Sequence, residues 1–231
     1  FLLTNSAWIS IALFGSLPFL LSDIDMSFID AFFESTSGIT TTGATVIENL
    51  EKKSHGILIW RALLQWLGGV GIIVMALAVL PMLSIGGMQL FKTESYETPD
   101  KVVPKAASFA AGISIVYITL TIIWAFMLWG AGMSMFDSIA HAMTTLATGG
   151  YSTKSESLAA FNSSTIEIII IFGMLVGSLP FVHYLTLSKN GIKNLIKDDQ
   201  VKLFLTLVFF VVLIMSLYLS SNEIPYFEAL R

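Results

Sequence analysis

From Ser35 to Ile47 the chain carries no charged residue, yet it cannot cross a bilayer. Its hydroxyls and glycines make it too polar, and it falls short of the roughly 20 residues that a spanning helix needs. It lies between two apolar runs that are long enough, Phe1 to Ser22 and Ile57 to Leu83. Irregular polar backbone at membrane depth is tolerated only where protein or a water-filled cavity surrounds it. The stretch therefore reads as a short helix, Phe28 to Ser37, that dips into the membrane and ends in Thr40-Thr41-Thr42-Gly43. A run of Thr and Gly can extend its backbone and point successive carbonyls one way, because Gly tolerates the dihedrals this needs. Rings of such carbonyls replace the water shell of a monovalent cation. Residues 40–43 are expected to form one wall of a cation selectivity filter.

The pattern recurs. Sliding the sequence by 107 residues pairs Met26-Ser27 with Met133-Ser134, Asp30 with Asp137, Gly43 with Gly150, and Thr45 with Ser152. The second copy has a short helix, Phe136 to Leu146, followed by Ala147-Thr148-Gly149-Gly150, and it too lies between apolar spans. Internal repeats of this kind are common in channels and transporters.

The chain is 55% hydrophobic and only 12% charged, with a mean hydropathy of +0.80. Soluble domains carry about 25% charged residues, so this is an integral membrane protein. There is no cysteine, which removes disulfides, thiolate metal sites and thiol nucleophiles. No nucleophile-plus-base arrangement, metal-ligand spacing or phosphate loop stands out, and enzyme catalysis has no support. Further spans are expected at 106–130, 165–187 and 203–219. The polar segments 84–105 and 188–202 connect them, the first broken by Pro99 and Pro104. The expected division is a first span–pore loop–span repeat over 1–83, a connector, a second repeat over 106–187, another connector, and the start of a third repeat over 203–231. Pro225 to Leu230 reads as the opening of a third short helix. Because the chain starts inside an apolar run, it reads as an excerpt of something longer.

Seven of the ten lysines fall in the two connectors, which the positive-inside rule places in the cytoplasm. Both short helices then enter from outside with their C-terminal ends toward the membrane centre. The negative end of a helix dipole favours a cation there. The turns themselves are uncharged, which favours a weakly hydrated monovalent ion such as K⁺ over a divalent one.

Other residues have two readings each. Asp30 and Asp137 sit where a carboxylate caps a short helix, with ion contact as the alternative. Glu34 is an intramembrane acid, either functional by its position or paired with Arg61. Its counterpart is His141, so this chemistry is not expected to repeat. Glu48, Glu51 and Glu156 either focus cations at the outer side or are solvated loop acids. Arg61 and Glu167 are expected at the interface, as are Trp124 and Trp129. Gly68, Gly69 and Gly71 read as a site of close helix packing, with room for an ion path as the alternative. His183 reads as a hydrogen-bonded interior residue rather than a metal ligand.

STSGITTTGATV and LATGGYST, each between spans, resemble the TrkH/KtrB superfamily of microbial potassium-uptake proteins, and most of all its TrkH branch. The resemblance covers essentially the whole chain. It implies an all-α polytopic fold in which four span–pore helix–span repeats surround one pore in a pseudo-fourfold, potassium channel-like arrangement. It implies that Gly43 and Gly150 are filter glycines and that Thr41, Thr42, Ala147 and Thr148 offer carbonyls to K⁺. Gly149 would replace Gly150 only after a one-residue shift, and the glycine before Tyr151 fits the family better. The resemblance further implies a homodimer in the bilayer of a prokaryotic inner membrane, seated on a cytosolic nucleotide-binding regulatory ring that faces the lysine-bearing connectors. No organic cofactor or nucleic acid is implied. Channel-like flow and H⁺- or Na⁺-coupled symport both remain open. The departure is length: the rest of the third repeat, its gating loop and the fourth repeat are not represented, and two walls cannot encircle an ion. Two other functions remain as alternatives. One is a secondary transporter of another small solute through broken helices; the other is a non-conducting membrane scaffold.

Overall fold

The computed structural model describes residues 2–83, 102–181, 183–185, 195 and 197–221. They form helices joined by polar turns: α1 (Leu2–Leu20), α2 (Phe28–Ile39), α3 (His55–Leu83), α4 (Val102–Gly130), α5 (Met135–Leu146), α6 (Ser164–Ser178) and α7 (Asp199–Ser221). Short 3₁₀ turns at Leu50–Lys52 and Ser157–Phe161 lie in the loops after α2 and α5. No strand occurs among the described residues. Three helical stretches, His55–Ile73, Ala110–Gly130 and Asp199–Ser220, are long and apolar enough to cross a membrane. Asn5–Leu20 and Ser164–Ser178 are shorter apolar helices.

The chain divides into two compact units, Phe1–Ser178 and Leu179–Arg231. Within the first, α1 packs on α2 and α4 on α5, while α3 packs on both short helices. α3 is the inner span: 44% of its apolar window is buried, against 28% for that of α4. Phe14, Ile115 and Phe126 face outward from α1 and α4 as lipid-facing groups do. Phe19, Ala31, Ile57, Leu58 and Leu64 form the core between α1, α2 and α3.

Both short helices start alike. Ser27 caps α2 by accepting from the Asp30 backbone N–H at 3.2 Å, and its hydroxyl donates to the Asp30 carboxylate at 2.7 Å. Ser134 and Asp137 repeat this on α5 at 3.1 and 2.7 Å. Each cap satisfies an orphan donor and puts an acid in the first turn, where the dipole favours it. The capping residues are thus Ser27 and Ser134 rather than Asp30 and Asp137, whose carboxylates hold the capping hydroxyls and complement the dipole from the first turn.

Glycines set how close the spans come. A Cβ on Gly68 would run into the Ile39 carbonyl, and one on Gly177 would come within 2.8 Å of the Leu146 carbonyl. Both carbonyls end a short helix, so the long helix after each short helix meets it through a glycine. A Cβ on Gly69 would lie 3.1 Å from the Ala147 Cα, so α3 also touches the second turn. Gly71 has nothing within 4 Å and takes no part in this packing.

One expectation about the spans fails. Trp124 is not interfacial: it is 8% exposed and donates its indole N–H to the Ile169 carbonyl at 2.9 Å. It fills the space left by Gly173, whose added Cβ would strike the Trp124 ring and Thr145. The corresponding junction in the first repeat puts the bulk on Leu64, between Gly15 and Gly38. The two repeats fill the same junction with the large residue on different helices. Trp129 is exposed.

α6 ends at Ser178, before Pro180, and residues 181 and 183–185 are helical again beyond that break. In the second unit, Asp198 caps α7 by accepting from the Gln200 and Val201 backbone N–H groups at 2.8 and 3.1 Å. His183 meets Asp198 at 3.1 Å, in accord with a hydrogen-bonded histidine rather than a ligand. Lys92, Lys101, Lys189 and Lys193, and the third short helix expected at 225–230, lie outside the described residues.

Candidate functional site: paired turns at the ends of two half-helices

The first turn begins as the end of α2. The Thr41 N–H donates to the Gly38 carbonyl and the Thr42 N–H to the Ser37 carbonyl, both at 2.9 Å. The second turn repeats this: Thr148 donates to Thr145 at 3.0 Å and Gly149 to Thr144 at 2.9 Å. This is a Schellman ending, which needs a left-handed residue just past the helix. Glycine usually fills that place. Here it is Thr41, with φ of 55°, and Thr148, with φ of 52°. Two residues on, Gly43 and Gly150 are left-handed as well, at 81° and 82°. Gly150, not Gly149, is the conformational counterpart of Gly43. The backbone is not extended from Thr40 onward; Thr40 and Thr41 finish the helix, and the chain leaves the turn after them.

The turns lie side by side. A Cβ on Gly43 would overlap the Gly149 carbonyl oxygen, so the first turn meets the second through the bare face of a glycine. Thr40, Thr42, Thr148 and Gly150 are exposed, while Ala147 and Gly149 are buried and Thr41 and Gly43 are intermediate. Both helices direct their C-terminal carbonyls at this region, where their dipoles favour positive charge.

Behind the turns, α3 holds both of them. Glu34, fully buried on α2, accepts from Arg61 Nε at 2.7 Å. It also accepts from the Thr45 hydroxyl at 2.9 Å and the Val46 N–H at 3.0 Å. Arg61 donates through Nη1 to the Ser152 carbonyl at 3.0 Å and lies 4.0 Å over the Tyr151 ring. The Tyr151 hydroxyl donates to the Glu34 backbone carbonyl at 2.9 Å. One acid, one guanidinium and one phenol thus tie the strand after the first turn to the strand after the second. Arg61 is 1% exposed, so its expected interfacial position is wrong; a buried charge persists only when paired. One turn of α3 further on, the Gln65 amide donates to the Gly149 carbonyl at 2.8 Å and accepts from the Tyr151 N–H at 3.1 Å.

The place of Glu34 is filled in the second repeat by His141, whose Nε2 meets the Ser152 hydroxyl at 3.1 Å. Glu34 and Thr45 stand as His141 and Ser152 do, 107 residues on. The hydrogen bond repeats even though the chemistry does not. Gly68 and Gly177 are 109 residues apart, and the same offset puts Ile170 and Met174 where α3 has Arg61 and Gln65. Both line a cavity of about 180 Å³ beside Thr148, Gly149 and Gly150.

In the loops that follow the two turns, the Glu51 carboxylate accepts from the Ser155 N–H at 2.6 Å and from its hydroxyl at 2.8 Å. The Ser155 N–H, foremost, holds the Glu51 carboxyl below its ordinary value of 4.5. Glu48 and Glu156 are exposed, and Glu167 is intermediate. No group of three metal-ligating side chains occurs among the described residues.

The TrkH family, described as cation transport protein, matches residues 1–225. The chain belongs to the TrkH family. It is 40% identical over its whole length to the Trk system potassium uptake protein TrkI of Halomonas elongata, covering 47% of that protein. It is also 40% identical, over 97% of its length and 47% of the relative's, to the Trk system potassium uptake protein TrkH of Escherichia coli K12. The crystal structure of the potassium transporter TrkH from Vibrio parahaemolyticus superposes with a TM-score of 0.85 at 37% identity. That match covers 96% of this chain and 46% of the other. The chain thus spans about half the length of the relatives it matches. As a TrkH-family chain with these apolar helices, it is a multi-pass membrane protein.

Gln65 and Tyr151 carry no role in the sequence reading. A signal for Gln65 exists: a polar side chain inside a span, four residues after Arg61, shares its helix face.

Proposed function

We propose that this chain supplies two walls of a potassium selectivity filter in an uptake protein of a prokaryotic inner membrane. Thr40–Gly43 is the first wall and Ala147–Gly150 the second, with the carbonyls of Thr41, Thr42, Ala147 and Thr148 offered to the ion. One observation carries this reading: two turns of matching φ meet at Gly43 and the Gly149 carbonyl, each at the C-terminal end of a half-helix. Uncharged carbonyl oxygens at the negative ends of two adjacent helix dipoles favour a cation over an anion at this place. The printed names of the relatives, potassium uptake protein and potassium transporter, support K⁺ as the ion. Further repeats would complete the ring. Ions would run down their electrochemical gradient, with or without a coupled cation, and a homodimer on a cytosolic nucleotide-binding ring belongs to the same proposal.

Ion flux in liposomes carrying the full-length protein tests it. Gly43→Ser and Gly150→Ser are expected to raise Na⁺ relative to K⁺ permeation with expression intact. Gly43→Ser should act more strongly, because its side chain would also meet the Gly149 carbonyl, whereas Gly150 has open space beside it. Unchanged selectivity in both variants overturns the filter reading.

A further inference from the structure

The contact that the filter reading leaves unexplained is the amide of Gln65. It is fully buried and makes two hydrogen bonds to one strand, to the Gly149 carbonyl at 2.8 Å and from the Tyr151 N–H at 3.1 Å. These two groups belong to the peptides on either side of Gly150. A residue in a parallel β-strand bonds its neighbour in the same way, taking the N–H of one residue and the C=O two before it. Gln65 thus replaces a neighbouring strand with a single carboxamide. Gly150 sits between the two bonds at φ of 82°, a conformation glycine leaves easily in either direction. A residue with that freedom, with nothing within 4 Å of where a Cβ would stand, has no steric reason to keep one conformation. The two bonds supply the restraint.

We propose that Gln65 is a positioning residue for ion selectivity, which fixes the peptide planes around Gly150 and with them the width of the second wall. The proposal rests on the filter reading above. Gln65 does not touch the ion; it acts through the backbone it holds. Its amide must both donate and accept, and no aliphatic or carboxylate side chain of similar length does both. Arg61, one turn earlier on α3, secures the same strand at the Ser152 carbonyl, so the pair grips residues 149–152 from a single helix face. α6 offers only Ile170 and Met174 in the corresponding places. The grip is therefore a property of the α3 side and not of both outgoing spans.

The test is the K⁺/Na⁺ permeability ratio of the full-length protein in liposomes, measured for Gln65→Met, Gln65→Glu and Gly150→Ser. Gln65→Met keeps the volume and installs the residue that α6 carries. Gln65→Glu keeps an acceptor for the Tyr151 N–H and, when ionised, loses the donor. Loss of one or both bonds is expected to lower the ratio about threefold to tenfold, with folded protein still recovered. A merely structural role would reduce the amount of folded protein and the fluxes of both ions together, leaving the ratio where it was. If Gly150→Ser shifts the ratio and neither folded Gln65 variant does, the filter stands and the role of Gln65 is overturned. If none of the three shifts it, the filter reading falls and this proposal with it. Should Gln65→Met fail to fold, Gln65→Leu takes its place, because a buried glutamate that stays protonated keeps both a donor and an acceptor.

Discussion

Glu34→Gln is the substitution most exposed to refutation. The wild-type carboxylate is fully buried and accepts from Arg61, Thr45 and Val46. The amide keeps its shape but removes the only acidic partner within 4.0 Å of Arg61 among the described residues. The guanidinium, 1% exposed, keeps the Ser152 carbonyl and the Tyr151 ring, and its Nη2 already has no partner. Removing one member of a buried pair costs about 3–5 kcal/mol, because the other charge stays desolvated. For a domain of this size about 1 kcal/mol moves the melting temperature by roughly 2–4 °C, so a fall of about 6–20 °C is expected. The assay is a thermal melt of the purified protein in one detergent, run on wild type, Glu34→Gln, Arg61→Met and the double variant. The double variant should recover a large part of the loss, since neither charge then remains alone. A shift under about 2 °C for Glu34→Gln, or strictly additive single losses, would refute the pairing argument.

Other expectations follow from single contacts. Thr148→Gly should raise the melting temperature slightly, because a left-handed threonine costs about 1 kcal/mol that glycine does not; a lower melting temperature would show that the Thr148 side chain contributes more than its strain. Gly68→Ala should destabilise strongly through the Ile39 carbonyl, while Gly71→Ala should be neutral or stabilising by about 0.5–1 kcal/mol, since a helical glycine gains from a methyl group with room around it; comparing the two melts checks the packing. Glu51 has a depressed pKa, so its tie to Ser155 is fully formed above the ordinary value of 4.5 and lost as pH falls through the lower folded value. The protection of the Ser155 amide, its exchange rate taken relative to the intrinsic rate at each pH, should therefore fall on acidification below that point, and Glu51→Gln should make that protection independent of pH over the same range.

Much of this fold can be read from local sequence. The spans follow from length and apolar composition, and the caps from Ser27 and Asp30, Ser134 and Asp137 three residues apart. Glu34 and Arg61 are rare charges among apolar neighbours, and such charges seek each other. The glycines of α3 announce close packing, although Gly68 and Gly69 serve it and Gly71 does not. What escapes is non-local. Gln65 meets Gly149 and Tyr151 across more than eighty residues, and no periodicity encodes that meeting. Trp124 looks interfacial until Gly173 is seen to leave it a space. The threonines at 41 and 148 hide a helix ending because glycine is its usual mark. His141 and Ser152 keep the hydrogen bond of Glu34 and Thr45 through a change of residue type, which geometry preserves and sequence comparison between the repeats does not.

The most direct test is to locate the ion. Crystals of the full-length protein grown with Tl⁺ or Rb⁺ in place of K⁺ would give an anomalous difference map. Peaks between the Thr40–Gly43 and Ala147–Gly150 turns, within coordinating reach of their carbonyls, are the predicted result. Ion peaks confined to other parts of the protein, with none along these two turns, would contradict it.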